Sequence, residues 1–119
     1  MVGAVLCVTP AFAHHSYAMF DRTKRVTVEG TVRDWQWTNP HIWLELTVLD
    51  GGATQYYSLE GSGPTSEARR GWNRNTVKVG DKVTVVLFPL RDGRRGGSLV
   101  SISRDGVMLG NAPAANPAP

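Results

Sequence analysis

Two runs of alternating residues, 25–37 and 41–49, constrain the fold of this chain more than any other feature. In the first, Val26, Val28, Gly30 and Val32 fall on one side, and Thr27, Glu29, Thr31 and Arg33 on the other. In the second, Ile42, Leu44, Leu46 and Val48 oppose His41, Trp43, Glu45 and Thr47. A period of two marks a half-buried strand. Between the runs stands Thr38-Asn39-Pro40. Proline has no N–H to donate to a ladder and asparagine favours turns, so the triplet closes a hairpin. A three-residue loop sets Trp37 opposite His41, Trp35 opposite Trp43, Arg33 opposite Glu45 and Thr31 opposite Thr47, all on one face. Aromatic on aromatic and cation against anion are favourable neighbours. A slip by one residue would undo every pair. The outer face then carries Trp35, Trp37 and Trp43 beside His41, an apolar surface that needs a cover. Tyr17-Ala18-Met19-Phe20 is the nearest candidate, since Met packs well on aromatic rings.

The remaining elements follow from turn residues. Thr54 to Gly61 reads as a third strand, and Ser62 to Gly71 as a short helix. Ser62 or Thr65 would cap it, Pro64 suits its first turn and Gly71 its end. Trp72 then plugs one end of a barrel. Lys82 to Phe88, Ser98 to Arg104 and Val107 to Leu109 read as further strands, with a flexible basic loop over 91–97. Five or six short strands with one helix between the third and fourth predict an all-β chain: a small OB-like Greek-key barrel, with an SH3-like barrel or small sandwich as the alternative. In OB-type barrels the face of strands 2 and 3 and the loops L12 and L45 are the usual binding surface.

At 119 residues the chain suits one domain. The net charge of +3, with both signs interspersed, suits solubility or weak attraction to anionic surfaces and makes no case for nucleic acid. Residues 1–13, MVGAVLCVTPAFA, form an apolar run ending in Ala11-Phe12-Ala13. This is similar to the end of a secretory signal peptide, although the usual basic n-region is missing. The run is too short to span a bilayer. The expected organisation is a leader at 1–13, a β-barrel domain at 14–110 and a disordered Ala/Pro-rich tail at 111–119, in an exported, periplasmic protein. Removal of the leader takes Cys7, the single cysteine, with it. Disulfides and thiolate metal sites are then excluded.

HHSYAMFD, GTVRDWQWTNPHIWLELTV, RRGWNRNTVKVGDKVTV and FPLRDGRRGGSL together resemble a family of short secreted bacterial proteins known as domain of unknown function 6152. The resemblance covers nearly all of the chain after residue 13. It implies an exported β-barrel and no particular activity.

Three chemistries compete. Cleavage after Ala13 would make His14 the N-terminus, whose amine and imidazole can grip one metal together. With His41 as a distant ligand this is a three-nitrogen set suited to copper, similar to a histidine brace; His15 and Met19 are reserves, and Met favours Cu(I). A simple hairpin at Asp21–Lys24 would leave His14 roughly 20 Å from His41, so the segment must instead cross the sheet. The plainer alternative makes His14 and His15 a solvated tail and stacks His41 on Trp37. The second chemistry is an aromatic OB-type face, Trp35, Trp37, Trp43, Tyr56 and Tyr57, binding a glycan or other anionic ligand with Arg91, Arg94 and Arg95. The third is a metal-free enzyme using Asp34, Glu45 or Glu60. No nucleophile–base spacing supports it, and no catalytic residue is assigned. The expectation is a periplasmic binding protein for a small ligand or metal ion, without a membrane span, copper through His14 and His41 being its sharpest form and a glycan- or anion-binding module or a purely structural interaction domain the alternatives.

Overall fold

The alternating runs pair, and they pair into a closed barrel. The computed structural model describes residues 18–110. Its elements are β1 (Val26–Gln36), β2 (Trp43–Asp50), β3 (Ala53–Glu60), α1 (Pro64–Arg69), β4 (Lys82–Pro89), β5 (Gly96–Arg104) and β6 (Val107–Met108). The sheet order is β3-β2-β1-β4-β5-β6, and β3 pairs with β5 as well. That last pairing is parallel, Ser58 to Glu60 against Gly96 to Ser98, and closes five strands into the OB-like barrel, with α1 between β3 and β4. Closure needs glycine at the seam. A Cβ at Gly96 would run into the Ser58 carbonyl oxygen of β3; on the other side of β5, one at Gly97 would run into that of Phe88 in β4. Gly96 and Gly97 are therefore buried strand residues and not part of a flexible loop.

The core is made of the alternate residues the pattern selects. Ile42, Leu44, Leu46, Leu59, Val85 and Ile102 are inaccessible to solvent, and Val32 and Leu87 nearly so. Trp72 is buried, and its indole N–H donates to the Leu109 carbonyl at 2.9 Å, satisfying the one polar group of the plug.

α1 starts without a side-chain cap. Its N-cap is Gly63, so neither Ser62 nor Thr65 fills that role, while Pro64 stands in the first turn as expected. Gly71 ends the helix with φ +88°, a conformation an L side chain rarely adopts. Glu67 faces inward from this helix and is buried. Arg70 donates to it at 3.2 Å, reaches the Val100 carbonyl, and lies 4.0 Å over the Trp72 ring. Burial pushes the Glu67 carboxyl above its ordinary range, and the Arg70 charge opposes that shift only in part.

The hairpin register changes partway along β1. Thr31 pairs with Thr47 and Val32 with Leu46 as expected, but the next pair is Asp34 with Glu45. Arg33 is the extra residue of a β-bulge. Beyond it Trp35 stands opposite Leu44 and Gln36 opposite Trp43. One added residue reverses the faces, so Trp35 and Trp37 pack against the core and only Trp43 remains outside. The expected face of three tryptophans does not form. Trp35 instead meets Trp37 at 5.8 Å and Trp72 at 6.2 Å between ring centroids, and its N–H donates to the Asn73 carbonyl.

The segment before β1 covers a different surface from the one expected. Phe20 bridges to Leu90, the Asp21 N–H donates to the Pro89 carbonyl and the Arg91 N–H to that of Met19. Phe20, Phe88 and Val100 form a second small core, with Met19, Val86 and Leu90 against it. Tyr17 lies outside the described residues.

Two measurements probe these features. Deleting Arg33 removes the bulge and would turn Trp35 and Trp37 outward; urea unfolding should report a loss on the order of 3–5 kcal/mol, as for removal of a buried aromatic ring. A loss under about 1 kcal/mol, within the range of an ordinary surface change, would show that something else sets the register. Because the Glu67 carboxyl is raised in the fold, the folded state binds its proton more readily than the unfolded chain does. Its stabilising effect is complete below the ordinary carboxylate pKa and fades as pH rises through the raised one. The stability of wild type relative to Glu67→Gln should therefore increase as pH falls from 7 toward 4.5, the ordinary value. A pH-independent difference would contradict it.

Candidate functional site

Outward residues of β2 and β3 alternate with the core residues, and closure of the barrel places them beside the β4–β5 loop. Trp43 lies opposite Glu60, and Glu45 opposite Ser58. The Ser58 hydroxyl donates to the Glu45 carboxylate at 2.7 Å. Glu45 also faces Asp34 across β1, where the unbulged register would have put Arg33. Gln36 donates to Asp34 at 2.8 Å, so each carboxylate of this like-charged pair has a hydrogen-bond donor. Arg33 turns instead to Tyr56, with its guanidinium 4.5 Å from the ring centroid.

An open groove of about 460 Å³ runs along this face. One side is built from Trp43, Ser58 and Glu60; the other from Met19, Phe20, Leu90, Arg94 and Arg95. This is the strand 2–3 face flanked by L45, where OB-type barrels usually bind. A second groove, about 480 Å³, is lined by Glu29, Thr31, Thr47, Lys82, Thr84 and Ser103 among others, and no aromatic ring contributes to it.

The predicted ligand-binding residues separate on this geometry. Trp43, Arg94 and Arg95 come together in the groove. Trp35 and Trp37 do not, because the bulge has turned them inward. Arg91 is absorbed in holding the N-terminal segment, donating from Nε to the Ala18 carbonyl at 3.0 Å. Tyr57 packs on the core, and Tyr56 is exposed under Arg33. Arg94 is held by Asp92, its N–H and Nε donating at 3.0 and 2.7 Å, and these bonds lower the Asp92 carboxyl below its ordinary range.

His41 sits just beyond the groove. Its Nδ1 is 3.0 Å from the Gly61 carbonyl and 3.5 Å from Glu60, and a third of the side chain is exposed. It does not stack on Trp37, which packs with Trp35. Backbone bonds between Gly61 and Ile42, and between Ile42 and Ser62, hold it there. Met19 lies in the groove wall. His14 and His15 lie outside the described residues. Among the described residues no three His, Cys, Asp or Glu side chains converge on a point that would hold a metal ion, and no helix is long and apolar enough to cross a membrane.

Sequence reasoning missed the pairing of Glu60 and Ser58 with Trp43. The signal was present in β3: Tyr56, Ser58 and Glu60 alternate with Tyr57 and Leu59 and share a face with Trp43 in an antiparallel hairpin.

A family model described as Family of unknown function (DUF6152) matches residues 4–100, and the chain belongs to that family. No curated protein and no solved structure matches it.

Proposed function

For this DUF6152 family member we propose an exported binding module that holds a carbohydrate chain in the Trp43 groove. The observation that carries the reading is one half-buried indole facing an open groove together with a carboxylate, a hydroxyl and two guanidinium groups. A sugar ring presents an apolar C–H face and a rim of hydroxyls. An aromatic plane meets the first, and planar carboxylate and guanidinium groups meet the second through charge-assisted hydrogen bonds. A mixed lining of this kind fixes orientation as well as contact. Nucleic acid fits less well. Asp34, Glu45 and Glu60 stand on the same outer face of β1–β3 and would repel phosphates at the Trp43 end, and Trp43 is the one indole of the groove, beside a buried Phe20, so successive bases have nothing further to stack on.

Copper is a second reading, favoured by the setting of His41. Its Nδ1 is engaged by the Gly61 carbonyl, which orients Nε2 as the nitrogen a metal would meet. The Ala18–Phe20 segment also runs beside the groove that Glu60 lines, and Glu60 adjoins His41. His14 or His15, four or five residues before Met19, is within roughly 18 Å of chain reach from it. Cleavage after Ala13 would supply the terminal amine at His14, and Met19 would remain the reserve ligand.

Tryptophan fluorescence titration with oligosaccharides tests the first reading. Trp43→Ala should weaken binding about tenfold or more, equivalent to ~1.4 kcal/mol, whereas Trp35→Phe, on the inner face of the same sheet, should leave it within about twofold, or ~0.4 kcal/mol. Equal affinity in wild type and Trp43→Ala would reject the groove. For copper, electron paramagnetic resonance of the exported protein should change in both His14→Ala and His41→Ala. Identical spectra and affinities in all three proteins would eliminate that reading.

A further inference from the structure

The chain's positive charge is gathered at one end of the barrel. Six of its thirteen Lys and Arg residues (Arg22, Lys24, Arg25, Arg91, Arg94 and Arg95) fall within 21–25 and 91–95, with Asp21 and Asp92 as the only carboxylates there. Those two segments carry +4; the rest of the chain, with seven cations and eight carboxylates, carries −1. The two segments form one surface, because Phe20 bridges Leu90 and the Asp21 N–H donates to the Pro89 carbonyl at 2.8 Å. Arg25 lies 5.6 Å over the Phe88 ring, and Phe88 packs on Phe20, which lines the groove. The basic surface and the Trp43 groove are therefore continuous. The two carboxylates act locally: Asp21 accepts from Thr23, Asp92 accepts from Arg94, and both are held below the ordinary carboxylate range.

We infer that the ligand is a carboxylate-bearing polysaccharide, whose chain passes from Trp43 out across the 91–95 loop and the 21–25 turn. This rests on the groove reading above and adds the charge class and the path of the ligand. Glu60 and Glu45 keep acidic groups away from the Trp43 end, so neutral hydroxyls and the ring face are read there. The acidic groups fall over Arg94, Arg95, Lys24 and Arg25. A field spread over two segments suits a repeating polyanion better than a single small anion. A membrane surface fits less well, because interfacial binding needs apolar groups to insert beside the cations. The exposed large apolar residues of the described chain, Leu49, Tyr56, Val79, Val107 and Met108, all lie outside these segments, and Phe20 and Phe88 are buried.

Calorimetric titration with oligogalacturonates and with neutral maltooligosaccharides of matched length, at low and high salt, tests this. Acidic oligomers should bind at least tenfold more tightly at low salt. The advantage should grow with length, and it should fall with salt as released counterions dictate. Lys24→Glu with Arg25→Glu should abolish the advantage and leave the affinity for neutral oligomers unchanged, while Trp43→Ala should weaken both. Equal binding of the two classes, still dependent on Trp43, would overturn the inference and leave the groove reading standing. Acidic binding that ignores Trp43 would overturn both. Tighter binding to vesicles of anionic phospholipid than to any acidic oligomer would overturn the polysaccharide assignment. If the double variant does not fold, the salt and length dependence of wild type alone decides between charged and neutral ligands.

Discussion

A strand can present a residue to the core or to solvent, and one inserted residue exchanges the two. Arg33 is that residue in β1. Before it the strand obeys the simple hairpin register; after it every side chain stands on the opposite face. The consequences reach both faces of the sheet. Trp35 and Trp37 turn inward and join Trp72 in an aromatic stopper, and the outer sheet is left with a single indole, Trp43. Without the bulge three tryptophans would share one surface, a patch that would need a large cover. With it, one ring remains, of a size suited to a ligand.

The second constraint is closure. Parallel pairing of β3 with β5 brings Gly96 against the Ser58 carbonyl and carries the β4–β5 loop to the edge of the β2–β3 face. The groove exists because of that meeting. The Ala18–Asp21 segment then packs along Pro89–Arg91, closing a second small core and forming part of the groove wall. Arg91 shows the division of labour within the loop. It hydrogen-bonds the incoming segment, while its neighbours Arg94 and Arg95 face the groove.

Electrostatics on the outer face follow from the same bulge. A cation–anion pair, Arg33 with Glu45, gives way to Asp34 beside Glu45, each supplied with a donor by Gln36 or Ser58. The sheet centre becomes acidic and the barrel end at 21–25 and 91–95 basic. This polarity does not show in the modest net charge of +3.

The alternation of 25–37 and 41–49 was enough to place two strands. The turn residues place the others, and the helix between the third and fourth strands marks the OB-like barrel. Local chemistry governs those features, so they are legible in order along the chain. The identity of Trp43, Arg94 and Arg95 as candidate ligand contacts was legible too, since the fold class names the surface. Their separation from Trp35, Trp37 and Arg91 was not. A bulge adds no distinctive residue; Arg-Asp at 33–34 reads as well in a regular strand as in a bulged one. What decides it is whether Trp35 and Trp37 gain more by packing against Trp72 and the core than the ladder loses by skipping one pair. That comparison needs Trp35 and Trp72, 37 positions apart in the chain, and only the closed barrel brings them together.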